Sequence, residues 1–506
     1  MAVHPGRTGR NIIANFLGLG IASLLSLLLV PAYVGYIGIE AYALVGLFAV
    51  IQSWIALLDL GMTPTLGREM ARYSAGTVDA GTIRTLLRSL ETVYLVLALV
   101  IALLLFLLSD YLASRWLRAG DLPVEDIARA LGMLGVVVTL RFCEGLYRGG
   151  LLGLQMQVWV NAVSTGLALL RSLGALAVLA LISPTVGAFF IWQGLVSLLT
   201  VLVLGLKLHA SIAGPAGTAR FSLASLVRIR TFAGGVFATS LLSVLLTQVD
   251  KLLLSRLLPL AEFGYFMLAS TLATGLWMIG APVVLAVGPL MVRLHESRDE
   301  AALANAYHKA SQLVSVGVVP AMLVLALFAP GVVLAWSGDP ALAAGAGPIL
   351  ALLGVGTGLN ALLQLPYQLQ LAAGWTGLAM RVNLVAVLVM VPLLLWAVPR
   401  HGPLAAATVW AAINAAYLLV TIPLMHRRLL PAEMWRWLGR DILAPLGGAG
   451  IVLALAWLVQ PSVAAGRWSW AWFLAATGLA ALLGAALSAG KVREQLRLRL
   501  GARPRS

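Results

Sequence analysis

Charge and cysteine are both scarce in this chain. Only 10% of its 506 residues are Asp, Glu, Lys or Arg, where soluble domains carry about 25%. With 61% apolar residues, that shortage excludes an ordinary water-soluble domain and predicts an all-α polytopic membrane protein, because a helix satisfies its own backbone in lipid. One cysteine, Cys143, leaves no disulfide framework and no cysteine-based metal cage. The chain has no GxxxxGK[ST] phosphate loop and no room for a nucleotide domain between its apolar runs, so it is not by itself an ATP-driven pump. Acids are also few, 19 against 34 basic residues, a net charge of +15. Such an excess suggests nucleic acid until its placement is read. Most of the basic residues sit in connections between apolar runs, as the positive-inside rule requires, and no nucleic-acid partner is expected.

What is present is a succession of runs near the length of about 20 residues that a bilayer demands. Fourteen spans are predicted, at 11–37, 41–62, 90–109, 128–152, 158–182, 185–207, 232–258, 263–292, 309–330, 345–371, 376–398, 403–425, 441–460 and 468–490. The first far exceeds the apolar region of a signal peptide and shows no cleavage site, so it reads as a spanning helix. Basic clusters at Arg7/Arg10, Arg68–Arg88, Lys207–Arg230, Arg293–Lys309, Arg427–Arg440 and Lys491–Arg505 all fall on one side. Both termini are therefore expected in the cytoplasm. No connection on the opposite side exceeds about 20 residues, too short for a separate catalytic domain, so no enzyme activity and no catalytic residue is expected.

The connection 206–231, with Gly214, Pro215 and Gly217, reads as a joint between halves. Glu40 and Glu262 lie 222 positions apart, as do Asn161 and Asn383; Tyr42 and Tyr265, and Trp54 and Trp277, lie 223 apart. These offsets predict two six-helix repeats followed by two further helices. The predicted divisions are 1–230, 231–430 and 431–506, the last with a basic tail.

The most informative stretch runs from Arg141 to Arg171. Each of these arginines falls near the middle of an apolar run, where a charge costs about 3 kcal/mol. Arg141, Glu144 and Arg148 are spaced i, i+3, i+7 and share one helix face. Asn161, Ser164, Thr165, Ala168 and Ser172 form a small, polar stripe on the next helix. Such stripes face a bundle interior or wet cavity, here one with a cationic bias. Arg148, nearer the inner end, is counted with them, although snorkelling also accounts for it. Helix 7 has its own polar line at Thr239, Ser243, Thr247 and Asp250, and helix 1 another at Asn11, Asn15, Gly18, Ala22 and Ser26. Asp250 and Lys251, adjacent on a helix, are expected to point apart. Glu144 and Asp250 are the acids placed to couple an ion gradient, and no metal or cofactor is expected beyond a gradient or membrane potential.

The first hairpin, PAYVGYIGIEAYALVGLFAVIQSWIALLDLGMTPTLGREMARY (31–73), resembles bacterial polysaccharide-transport proteins, the O-antigen and exopolysaccharide repeat-unit flippases of the MATE-like superfamily. Pro31, Gly38, Glu40, Tyr42, Trp54, Asp59, Gly61 and Arg68 carry the likeness, and TQVDKLLLSRLLPLAEFGYFMLAS (247–270) is similar to that family's seventh helix and its exit. The resemblance implies a V-shaped, MATE-like bundle in the cytoplasmic (inner) membrane. It would move a lipid-linked oligosaccharide by alternating access, with polysaccharide polymerase and glycosyltransferases as partners. In that family basic lumenal residues attract the anionic head group, which by position implicates Arg141 and Arg171, with Arg148 and Asn161 beside them. The alternative for these arginines is a structural ion pair, Glu144 being the obvious acid. Two other functions share the fold: an ion-coupled MATE-type drug antiporter, whose often cationic substrates fit an arginine-rich lumen poorly, and a lipid II flippase.

Overall fold

The computed structural model describes residues 25, 27–213 and 220–499. Apolar runs have no water to bond their backbone groups, so they coil into helices, and among the described residues there is no strand beyond one isolated bridge, Arg118 to Pro259. The helices are α1 (Leu27–Ile37), α2 (Ile39–Asp59), α3 (Met62–Ser74), α4 (Ala80–Trp116), α5 (Val124–Gly153), α6 (Gln157–Leu181), α7 (Val186–Ala210) and α8 (Leu223–Leu257). They continue as α9 (Leu260–Glu296), α10 (Glu300–Ser337), α11 (Pro340–Ala372), α12 (Thr376–Leu429), α13 (Met434–Leu458), α14 (Gly466–Ser488) and α15 (Gly490–Arg499). Side chains of Asp79, Thr185, Ser222, Asp299 and Asp339 accept first-turn N–H groups and set where α4, α7, α8, α10 and α11 begin.

Eleven of these helices are long and apolar enough to cross a bilayer, against fourteen expected. The difference lies in three places. The expected span 11–37 falls outside the described residues except for the short α1. The span 232–258 lies in α8, which is not among the eleven. The spans 376–398 and 403–425 run together in the 54-residue α12, broken at Gly402 (φ 62°, ψ −152°). Pro282, Pro289 and Pro366 lie inside continuous helices. The kink in α10 is instead at Phe328 (φ −123°, ψ 23°), two residues before Pro330, whose ring displaces the preceding turn.

Two compact units result, Met1–Gly264 and Tyr265–Ser506. In the first, α3 is an addition to the expected spans. Met62, Leu66 and Met70, at i, i+4, i+8, are buried against Ile83, Leu86, Leu87 and Leu90 of α4 and Leu146 of α5. Its polar face carries Arg72, paired with Glu69 at 3.0 Å. The α3–α5 crossing is glycine-only ground: a Cβ on Gly153 would lie 2.2 Å from the Gly67 carbonyl oxygen.

In the second unit α10 is the hub. At its Glu300 end it binds α13 and α15 through a buried polar cluster. His308 Nδ1 faces Asp441 Oδ2 at 2.5 Å, and its Nε2 faces Glu433 Oε2 at 2.9 Å. Gln312 donates to Asp441 Oδ1 at 2.8 Å and accepts the Lys491 backbone N–H at 2.8 Å. Burial raises the Glu433 carboxyl, but the His308 contact and nearby Arg436 outweigh it and hold the group below its ordinary value. Neutral side chains do similar work further along: Trp277 donates to Asn360 (3.1 Å), Asn360 to Asn414 (2.8 Å), and Tyr417 to Asn383 (3.1 Å).

Candidate functional site

The residues that carry the family likeness are mainly structural. Gly38 (φ 81°) turns the chain from α1 into α2, and Gly61 (φ 76°) turns it into α3, both in the left-handed region that favours glycine. The Glu40 carboxylate accepts the backbone N–H groups of Gly120, Asp121 and Leu122 at 3.0–3.1 Å, and so fixes the connection into α5. Asp59 Oδ1 accepts from the Thr63 backbone and hydroxyl at 2.9 and 2.7 Å and from the Tyr94 hydroxyl, capping α3.

The charged site is built from α5, α6 and α7. Arg171 Nη2 lies 3.6 Å from Glu144 Oε2 and 3.4 Å from Thr200 Oγ1. Arg141 Nη2 lies 3.4 Å from Gln193 Oε1, and its guanidinium carbon is 5.5 Å from the Phe48 ring centroid. Glu144 therefore pairs with Arg171, the arginine without a nearby acid in sequence. Arg141, three positions from Glu144, is met by an amide and a ring. The α6–α7 packing brings the pieces together: Trp192 of α7 sits so close that a Cβ on Gly174 would lie 2.2 Å from its ring.

The pairing is incomplete. Arg171 is 14% exposed and Glu144 16%, yet these contacts are longer than the roughly 2.7–2.9 Å of a strong charged hydrogen bond. The Nε atoms of Arg141 and Arg171 are buried and have no hydrogen-bond partner among the described residues. Glu144 pairs with Arg171, Arg141 meets Gln193, and both arginines retain Nε donors for a further acceptor. Guanidinium donors of this kind match the oxygens of phosphate and carboxylate.

The other expected residues stand apart. Arg148 and Asn161 are half-buried and have no hydrogen bond or ion pair among the described residues. Ser164, on the Asn161 stripe, keeps a buried, unbonded hydroxyl, and the Ser172 carbonyl accepts the Tyr33 hydroxyl at 2.7 Å. Asp250 lies 3.5 Å from Lys251 Nζ, which also donates to the Thr247 carbonyl at 2.8 Å. These neighbours were expected to diverge; the long lysine stem folds back along the helix and reaches both. Asn11, Asn15, Gly18, Ala22 and Ser26 lie outside the described residues, as does the Thr239 side chain. The α7 contribution was missed, although Gln193, Ser197 and Thr200 form an i, i+4, i+7 polar line in an apolar helix. Among the described residues no group of three or more His, Cys, Asp or Glu could hold a metal ion.

Arg141 also lines a cavity of ≈ 310 Å³ with Gln52, Asp59, Thr63, Tyr94 and Ser240. Tyr94 stacks on Phe142, ring centroids 4.4 Å apart, which fixes one wall.

Comparison with known proteins agrees with this architecture. The chain is 21% identical over 411 residues to a Shigella flexneri protein described as "Putative O-antigen transporter", covering 79% of this chain and 94% of that one. Its fold is similar to that of the lipid II flippase MurJ in an inward closed conformation (TM-score 0.69, 14% identity, 96% of this chain and 99% of that one). It is also similar to an inward-facing multidrug resistance MATE family transporter of the MOP superfamily (TM-score 0.62, 16% identity, 83% and 99%). The fold is thus the MATE-like bundle of membrane transporters. Residues 8–295, more than half of the chain, match the model of the family described as polysaccharide biosynthesis protein, and the chain belongs to that family.

Proposed function

We propose that this protein is a flippase that carries a polyprenyl-diphosphate-linked oligosaccharide, such as an O-antigen or exopolysaccharide repeat unit, across the bacterial cytoplasmic membrane. The observation that carries the reading is the half-satisfied Arg141–Glu144–Arg171 group inside membrane-spanning helices of a polysaccharide-biosynthesis family member. A diphosphate offers the oxygens that the two free Nε donors lack, and giving up its hydration costs it the least where fixed charges replace the lost water. Transport proceeds by alternating access: the site admits the head group from the cytoplasm while the lipid tail stays in the bilayer. Arg148 and Asn161, with no hydrogen bond or ion pair among the described residues, extend the binding surface along α5 and α6. Glu144 and Asp250 are the acids through which a gradient could act. The protein is a transporter and not an enzyme, with both termini cytoplasmic, serving glycosyltransferases on one face and a polymerase on the other. The two lobes and C-terminal pair divide functionally near residues 230 and 430.

The test is deletion of the gene followed by analysis of lipid-linked saccharides on each membrane face. A flippase predicts a diphosphate-linked unit accumulating on the inner face with loss of surface polysaccharide. Unchanged glycolipids, with altered sensitivity to small cationic compounds, would instead identify a drug antiporter.

A further inference from the structure

Arg141 belongs to two environments at once. On one side it meets Gln193 of α7, the helix whose Thr200 meets Arg171; on the other it forms part of the wall of the ≈ 310 Å³ cavity. That volume is at the small end of ligand pockets, about 300–1,000 Å³, room for a sugar ring rather than a whole repeat unit. Away from Arg141 the lining changes character. Gln52 and Ser240 present an amide and a hydroxyl with no side-chain hydrogen bond among the described residues. Thr63 and Tyr94 add hydroxyls, and Tyr94, stacked on Phe142, supplies an aromatic wall. Asp59 contributes a carboxylate whose partners are Thr63 and Tyr94, with no ion pair among the described residues.

We propose that this cavity is a subsite for the first sugar of the head group, the one bonded to the diphosphate, and that it selects an uncharged sugar over a uronic acid. The proposal rests on the transport reading above. With the diphosphate on Arg141 and Arg171, the next group along the molecule enters the cavity that Arg141 borders. Hydroxyl and acetamido groups there find donors and acceptors in Gln52 and Ser240, and acceptor oxygens in Thr63 and Tyr94, whose own protons go to Asp59. With Arg141 taken up by the diphosphate, a sugar carboxylate would meet the Asp59 carboxylate across the cavity, and like charges so near disfavour its binding.

Three probes test this on purified full-length protein: farnesyl diphosphate, farnesyl-diphosphate-linked N-acetylglucosamine, and farnesyl-diphosphate-linked glucuronic acid. The expected result is that the N-acetylglucosamine probe binds about tenfold tighter than the bare diphosphate, while the glucuronic acid probe gains nothing. Gln52→Leu and Ser240→Leu should each erase the sugar's advantage and leave the bare diphosphate affinity unchanged, which also reports that the variants are folded. Asp59→Asn keeps an acceptor for the α3 cap and should raise affinity for the glucuronic acid probe alone. Equal binding of the bare and N-acetylglucosamine probes to the wild type would overturn the subsite while leaving the flippase standing. Retention of the sugar's advantage in both leucine variants would do the same. Failure of all three probes to bind would overturn the transport reading, and the subsite with it.

Discussion

Each unit of this molecule buries a charged cluster, and the two are built to opposite standards. In the second unit His308, Asp441, Glu433, Gln312 and the Lys491 backbone saturate the cluster: both imidazole nitrogens, both Asp441 oxygens and both polar ends of Gln312 are bonded, all within 2.9 Å. In the first unit Arg171 meets Glu144 at 3.6 Å and Thr200 at 3.4 Å, Arg141 meets Gln193 at 3.4 Å, and neither Nε atom has a hydrogen-bond partner among the described residues. A buried charge without a full set of partners costs free energy, so a fold keeps one only where something else supplies the missing partner. The saturated cluster reads as a fastener that holds α13 and α15 to α10. The unsaturated one reads as a binding site awaiting a ligand.

That contrast fails if the two clusters respond alike to mutation. The largest expected effect on stability is from Asp441→Ala, which strips His308 and Gln312 of partners in a buried site. It should cost about 3–5 kcal/mol, the scale for breaking a buried charged pair, visible as a lower melting temperature of the purified protein. Arg171→Ala should do the reverse, lowering transport about 10- to 100-fold, as for loss of a hydrogen bond to a charged group, with a smaller change in melting temperature. Arg171→Lys should recover part of the transport, because the ammonium keeps the charge without the planar fork. If Arg171→Ala instead unfolds the protein as severely as Asp441→Ala, the first cluster is a fastener too.

Smaller effects sharpen the distinction. Glu40→Ala removes the acceptor of three backbone N–H groups and should cost about 1–3 kcal/mol in thermal melts, with transport intact in the surviving folded fraction. The second cluster should also loosen in acid. The Glu433 carboxyl lies below its ordinary value of 4.5 when folded, so the stability it adds is present above that pH and is lost as pH falls through the lower folded value. Melting temperatures at pH 7 and pH 4 should differ more for the wild type than for Glu433→Gln. Arg148→Ala, the mildest change, should reduce transport no more than a few-fold, because no hydrogen bond or ion pair among the described residues holds that guanidinium in place.

The spans were legible because a run of about 20 apolar residues has few other uses. What escaped was whatever hydropathy averages away. Helix α3 was read as a basic connection, although Met62, Leu66 and Met70 mark a buried stripe. Helix α4 begins at Ala80 and α10 at Glu300, about ten residues ahead of their expected spans, because a helix need not stop where the apolar run does. At the site, the arginines announced themselves by being charged in apolar runs. Their partners did not: the Glu144–Arg171 pair joins different helices, and spacing along one helix favours Arg141 as the partner. Gln193 and Thr200 were visible as a polar line on α7, but their role depends on how α7 packs beside α5 and α6.

The most direct test of the central claim is binding of farnesyl diphosphate to the purified wild type and to the Arg141→Gln/Arg171→Gln double variant, with melting temperature recorded alongside. An unsaturated anion site predicts that the double variant loses binding while melting close to the wild type. Unchanged affinity in a folded double variant would contradict the account, and would mean that these two arginines serve the fold and not the cargo.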